Sequence, residues 1–365
     1  MGSDLLLVIV VVTALAFDFT NGFHDTANAM ATSIATRALP PRVAVALSAL
    51  LNVAGAFISL QVATTIAEGI VDSELITLDV LLAGLLGAIA WNLVTWFLGL
   101  PSSSSHALIG GLVGAAWIAE GADAVEFEGV IGDVVIPSLV APLLAGAVAV
   151  LGAFVAYRAL RALPERLGER WFKFGQVGSA SLVSLAHGTN DAQKTMGVIT
   201  LALVVHGSIG PDAGVPTWVI VAAALSIGAG TYIGGWRIIR TLGHELTDIE
   251  PPQGFAAESS GASVLLASSY FGYPLSTTHI VSGAVMGSGV GKRLADVKWT
   301  LAGRMATAWL LTLPAAALVA AAFHAGLEGI GTSGAGPIVM AGVGVLMTVG
   351  LFIAAQRNPV TPQDV

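Results

Sequence analysis

Two aspartates pose the chemical question. Asp25 lies in "NGFHDTANAM" (Asn21 to Met30) and Asp191 in "HGTNDAQKTM" (His187 to Met196), each inside a stretch that is otherwise apolar enough for a membrane. A carboxylate near a bilayer centre costs at least ~2.5 to 3.5 kcal/mol, so an intramembrane aspartate is kept for a reason. Asn21, Asn28 and Asn190 bring amide oxygens to the same stretches. Hard oxygens of this kind suit a small cation, Na+ on the carboxylates or a proton in its place, and Asp25, Asn28, Asn190 and Asp191 are the expected Na+ ligands. Gly22 and Gly188 each stand three residues before an aspartate, and a helix broken there would free backbone carbonyls for the cation's shell.

Two hydroxyl runs make the opposite demand. "SSSSH" (Ser102 to His106) and "STTH" (Ser276 to His279) each follow a proline, Pro101 or Pro274. Hydroxyl donors at the start of a helix, where backbone N–H groups are orphaned and the dipole is positive, cradle an anion, and a tetrahedral oxyanion fits. An anion beside two ionised carboxylates in low dielectric is repelled unless cations bind with it, so anion and cation binding become mutually dependent. Near neutral pH phosphate still carries a proton to donate to a carboxylate and sulfate does not, so the carboxylates favour phosphate or its mimic arsenate. His24 and His187 are expected as supporting site members. For His106 and His279, orienting the tips and touching the ligand are equally weighted roles. His206, His244 and His324 fall near predicted helix ends and carry no specific role.

The elements that must position these residues are membrane helices. Of 365 residues 55% are hydrophobic and 10% charged, with mean hydropathy +0.83, far from the quarter charged of soluble domains. Runs near 43–66, 79–98, 134–157, 217–236, 300–323 and 337–355 are long enough to cross roughly 30 Å of hydrocarbon. Two more, 5–36 and 176–205, are apolar at both ends and polar in the middle. Ala14-Leu15-Ala16 resembles a cleavage box, but no basic residue precedes the apolar core, so the stretch is read as the first half of a membrane helix. With no cysteine, disulfides, thiolate metal sites and thiol nucleophiles are excluded. The net charge of −8 lends a nucleic-acid role no support.

The chain repeats itself. Slid by 166 positions, Gly22 to Ala31 falls on Gly188 to Gly197; slid by 173, "GLPSSSSHALIGGLVG" (Gly99 to Gly114) falls on "GYPLSTTHIVSGAVMG" (Gly272 to Gly287). Two ordered matches at nearly one offset indicate a duplication. Basic residues mark the inner side of short loops. Arg37 and Arg42 follow the first unit; Arg158, Arg161, Arg166, Arg170 and Lys173 fill the joining segment; Lys292, Arg293 and Lys298 come later. The acidic loops Asp72 to Asp79 and Glu120 to Asp133 fall opposite. The two copies are therefore inverted, with 79–119 and 255–291 as re-entrant hairpins entering from opposite sides, the prolines ending their first arms. The expected fold is an all-α polytopic membrane protein of two inverted-topology repeats with broken helices and two re-entrant hairpins. Residues 1–157 would form the first repeat, 158–175 a basic inner linker, 176–323 the second repeat, and 324–365 an extra C-terminal transmembrane helix without a counterpart.

Beyond this reading, the chain resembles the inorganic phosphate transporter (PiT) family over nearly its whole length. The resemblance is carried by "NGFHDTANAMATSIATRAL" (Asn21 to Leu39), "HGTNDAQKTMGVI" (His187 to Ile199), "IGGWRIIRTLG" (Ile233 to Gly243) and "GFAAESSGASVLLASSYFGYPLSTTHIVSGAVMG" (Gly254 to Gly287). It implies a secondary phosphate symporter in the cell membrane with a central site and a homodimeric state. Carried over by motif, it implies that Asp25, Asn28, Asn190 and Asp191 line the phosphate and cation site. Ser103, Ser104, Ser105, Ser276, Thr277 and Thr278 would hold phosphate from the hairpin tips, and Glu258 would be a further cation-coupling acid. Asn52 stands where some eukaryotic relatives carry Glu, which removes one carboxylate. No cofactor is expected beyond the coupling ion, Na+ or H+. The family also holds sulfate permeases, so a sulfate permease is the alternative within it. From another class, a membrane-embedded metal-dependent hydrolase would use His24, Asp25, His187 and Asp191, but Asn190 opposite His24 breaks its symmetry and the hydroxyl tips are left without a task. A passive anion channel would prefer rings of Arg or Lys to carboxylates.

Overall fold

The computed structural model describes residues 2–161, 164–292 and 297–365. Residues 162 and 163 of the joining segment, and Arg293 of the charge argument, lie outside the described residues. Within them the chain is helical, with two isolated β-bridges and no strand. In the first half come α1 (Gly2–Ala35), α2 (Pro41–Gly55), α3 (Gln61–Glu68), α4 (Leu78–Phe97), α5 (Ser104–Glu120), a single turn α6 (Phe127–Gly129) and α7 (Ile136–Arg161). The second half comprises α8 (Glu165–Val205), α9 (Thr217–Ile233), α10 (Trp236–Arg240), α11 (Pro251–Tyr270), α12 (Thr277–Lys292) and α13 (Trp299–Ile330), followed by α14 (Ala335–Ala355). Five helices among the described residues are long and apolar enough to cross a membrane, six if the pair bent by 61° between α9 and the stretch Trp236–Glu245 is one span.

The halves are interlocked. α7 packs on α12 and α13 on α5; α1 packs on α9 and α2 on α8; α1 and α8 meet at the centre. Each half thus buries elements of the other, as a pseudo-twofold axis requires. The outer surface is hydrocarbon-facing, with Leu143, Leu310, Leu318 and Leu346 at least 70% exposed. Polar side chains are buried instead, an arrangement suited to a bilayer because water is absent from its core.

The expectation of re-entrant hairpins has a structural counterpart at both ends of each hairpin. Val71 and Val125, just before α4 and just after α5, form an antiparallel bridge, and so do Thr247 and Val297, just before α11 and just after α12. Each hairpin therefore leaves and returns at one side. Both first arms end in the same way: Gly99 N donates to Trp96 O and Leu100 N to Thr95 O, while Gly272 N donates to Ser269 O and Tyr273 N to Ser268 O. These are Schellman caps, with Gly99 at φ +67° and Gly272 at φ +80° in the left-handed region a glycine tolerates. The prolines were expected to end the arms, but Pro101 and Pro274 come after the caps and sit in the extended tips.

Three further expectations are corrected. α1 and α8 are unbroken through Gly22 and Gly188. The breaks fall between α2 and α3 and between α9 and α10. Gly22 and Gly188 instead permit close helix crossings: a Cβ on Gly22 would lie 2.3 Å from Ile227 O, and one on Gly188 2.2 Å from Asn52 O. The segment 158–175, expected as a linker, is largely helical, since its described residues continue α7 to Arg161 and open α8 at Glu165. The boundary between 323 and 324 falls inside α13, so the C-terminal helix without a counterpart begins at Ala335.

The crossing of α2 and α8 makes a stability prediction. Gly188→Val should cost about 1–3 kcal/mol by overpacking against Asn52 and lower the thermal unfolding temperature in detergent. Gly178→Ala, on the same helix with nothing within 4 Å of the added methyl, should leave it unchanged.

Candidate functional site

α1 and α8 present Asp25 and Asp191 to the interior where the two hairpin tips arrive. One ligand atom from each of Asp25, His187 and Asp191 lies within 4.8 Å of the others. The first turns of α5 and α12 supply the hydroxyls. Ser104 Oγ lies 2.8 Å from Asp25 Oδ2 and 2.7 Å from Asn21 Oδ1. Its counterpart, Thr277 Oγ1, lies 3.3 Å from both oxygens of Asp191. Thr278 donates to Asp25 Oδ1 at 3.2 Å and accepts from Asn28 Nδ2 at 2.9 Å. All of these side chains are buried.

Ser103 and Ser276 have a local task. Ser103 Oγ accepts from His106 N at 3.0 Å and Ser276 Oγ from His279 N at 3.2 Å, capping the orphan donors at the starts of α5 and α12. Of the hydroxyls assigned to the anion, these two act through their oxygens as caps, while 104, 105, 277 and 278 stand beside the acids or their partners.

The supporting residues sort by distance. His187 Nε2 lies 3.0 Å from Asp191 Oδ2, and its Nδ1 lies 3.0 Å from Asn52 Oδ1. Asn52 Nδ2 in turn donates to Thr231 Oγ1 at 2.8 Å, so Asn52 positions His187. His24 Nδ1 lies 2.6 Å from Asp25 Oδ1, while its Nε2 faces Thr95 and Ser102. Asn190 does not turn to the acids: its Nδ2 reaches Ser268 and Ser269 of α11 at 3.4 and 3.2 Å. His106 and His279 pack edge to face across the axis, centroids 4.7 Å apart, behind the tips. Glu258 is separate: it accepts from Thr32, Ser33 and Ser179 at 2.5, 2.6 and 2.5 Å and from Gln176 at 3.3 Å. Thr32 is seven residues beyond Asp25 on α1, roughly 10 Å along the helix.

The largest addition is Lys194. Its side chain is fully buried, and Nζ donates to Asp191 Oδ1, to Ser105 Oγ at 2.5 Å and to Leu275 O at 2.9 Å. The sequence contained the signal, a lysine three residues after Asp191 and the one lysine of the stretch 176–205, which places acid and base on one face. It alters the electrostatics: of the two facing carboxylates, one already has a fixed counter-charge. Asp18 was also unassigned; both its oxygens are buried without a hydrogen-bond partner.

A profile of the phosphate transporter family matches residues 21–167 and 162–320, nearly the full span of the two halves. The chain belongs to the phosphate transporter family. It is 58% identical to a probable low-affinity inorganic phosphate transporter of Mycobacterium bovis, over 99% of this chain and 86% of that one. Identity is 45% to a protein of the same description from Rhizobium meliloti, covering 87% of this chain and 95% of that one. A solved structure described as the sodium-dependent phosphate transporter superposes with TM-score 0.78 at 24% identity, covering 89% of this chain and 99% of that chain. The agreement is one of fold, so the family architecture is retained by this member.

The two acids differ in their neighbours, and a stability test reads the difference. Asp191→Asn leaves the Lys194 ammonium buried without its counter-charge, a defect that costs about 3–5 kcal/mol in buried pairs; Asp25→Asn leaves no such charge. Thermal unfolding should show a marked drop for Asp191→Asn and a small change for Asp25→Asn.

Proposed function

We propose that the protein is a secondary active importer of inorganic phosphate, driven by symport with Na+ or H+. The observation that carries this reading is the meeting of two carboxylates with the hydroxyl-bearing first turns of α5 and α12 in one buried site. Helix N-termini and their hydroxyls suit a phosphate oxygen, and the carboxylates suit the cation that must accompany it. Phosphate is held by Ser104, Ser105, Thr277 and Thr278, with Ser103 and Ser276 completing the tips. The site has two cation positions, Asp25 with Asn21 and Asn28 in one half and Asp191 with Asn190 nearby in the other, and the coupling cation binds at the first. Glu258, ringed by four polar side chains, is a second cation station on the path toward the basic face.

The relatives named above are phosphate transporters, and the residues give no reason to prefer a hydrolase. His24, which that reading needs as a ligand, has both ring nitrogens engaged, Nδ1 against Asp25 and Nε2 toward Thr95 and Ser102. Lys194 already engages one oxygen of Asp191. The two halves, joined near the end of α7, form the rocking elements of alternating access, with α14 as an addition to the second half. The protein resides in the cell membrane as a homodimer, its C-terminus on the basic, cytoplasmic face with Lys298 and Arg357. Cross-linking in native membranes checks the dimer.

Radiolabelled phosphate uptake into proteoliposomes, with Na+ and pH gradients imposed separately, tests the function. One gradient alone should drive accumulation, and unlabelled sulfate should compete poorly, since it cannot donate a hydrogen bond to a carboxylate. Asp25→Asn should reduce uptake to background. Uptake that ignores both gradients would refute symport, and full competition by sulfate would reassign the anion.

A further inference from the structure

The two halves of the site are related position by position, and the relation fails at one chemically decisive place. Under the 166-residue offset Asp25 corresponds to Asp191 and Asn28 to Lys194; under the 173-residue offset Ser104 corresponds to Thr277 and Ser105 to Thr278. The contacts obey the same pairing. Ser104 on Asp25 mirrors Thr277 on Asp191. Asn28 Nδ2 on Thr278 mirrors Lys194 Nζ on Ser105. The amide of one half is the ammonium of the other.

The surroundings of that ammonium are those of a bound ion. Lys194 Nζ meets a carboxylate oxygen of Asp191, the hydroxyl of Ser105 and the backbone carbonyl of Leu275. Three donors meet three oxygens, so the lysine is saturated and has none left over for an anion. Carboxylate, hydroxyl and carbonyl are also the hard oxygens that Na+ takes. In the first half the equivalent position offers an amide whose oxygen, Asn28 Oδ1, is buried with no hydrogen-bond partner. One cage is filled by the chain; the other retains an unused acceptor.

We propose that the Lys194 ammonium is a tethered cation that permanently occupies the second of two symmetry-related cation sites. The centre then takes up one exchangeable cation fewer per phosphate than its two aspartates would require, and the mobile ion binds at Asp25 and Asn28. This rests on the reading of Asp25 and Asp191 as coupling-cation positions. Two like charges within 4.8 Å would otherwise both need a mobile partner in low dielectric.

The test is a count of cations. In proteoliposomes, the Na+ or pH gradient that just nulls a fixed radiolabelled phosphate gradient gives the number of cations moved per phosphate. Lys194→Asn, which makes position 194 match its counterpart Asn28, should raise that number by one. An unchanged number in a transporting variant overturns the proposal. Should Lys194→Asn not transport, cations bound per protomer are counted in detergent, 22Na+ by equilibrium dialysis and protons with an indicator in weak buffer. One more than wild type is expected, and an equal count overturns the proposal. Should it not fold, the double variant Asp191→Asn/Lys194→Asn removes both charges together. Its count should equal that of the wild type, whatever its transport rate, and loss of one cation would show that Asp191 holds a mobile ion and overturn the proposal. Wild-type protein that moves no phosphate under any gradient would instead sink the transport reading, while leaving the bound-cation count to judge Lys194.

Discussion

A carboxylate in the middle of a bilayer must be met by donors or by positive charge, and the whole architecture answers that requirement twice. Asp25 is met by an imidazole and two hydroxyls, Asp191 by an imidazole, a hydroxyl and an ammonium. His24 on α1 and His187 and Lys194 on α8 share a helix with the acid they meet, whereas the hydroxyls of Ser104, Thr277 and Thr278 do not. The hydroxyls come from the hairpin tips, and one of them, Thr278, reaches Asp25 from the hairpin of the other half, so the two repeats must close on each other before both acids have all their partners. Leaving them unsatisfied in hydrocarbon is costly, and the site is thereby tied to the assembly of the fold.

The hairpins make that delivery possible. Each arm stops at a left-handed glycine, passes through an extended tip containing proline, and restarts at a capping serine. A tip of non-helical backbone at membrane depth is tolerated only when protein surrounds it. Here it is surrounded: Trp309 of α13 donates to Pro101 O at 3.0 Å, and the carbonyl of Leu275 is taken by Lys194. The lysine therefore holds a tip and neutralises an acid with one group. Close crossings at Gly22 and Gly188 seat the acid-bearing helices against α9 and α2, and the second of these brings Asn52 to His187.

Inversion of a duplicated unit supplies two equivalent half-sites, and later divergence makes them unequal. Asn21 corresponds to His187, His24 to Asn190 and Asn28 to Lys194. The first two amount to an exchange of imidazole and amide between halves and change no formal charge when the imidazoles are neutral. The third adds a charge. Such a site keeps the geometry of a symmetric pair while giving its two acids different electrostatic standing.

Hydropathy, the two offsets and the charge asymmetry of the loops sufficed, from the sequence, for membrane class, duplication, inversion and the hairpins, because each reflects a local demand of lipid or of the inner face. The polar members of the candidate site were legible for the same reason: Asp25, Asp191 and the hydroxyl runs are expensive where they stand. What the sequence did not decide was who touches whom. Asn190 shares a motif with Asp191 yet turns to α11, since neighbours on a helix point in different directions. Glu258 shares a family motif yet gathers its own four partners elsewhere. Gly22 and Gly188 read as breaks, but a glycine inside an apolar helix serves equally for close packing, and only the facing backbone distinguishes the two. The role of Lys194 was likewise decided by tertiary structure, because its three oxygens come from a neighbouring turn and from the tips of both hairpins, which only the closed fold brings to one atom.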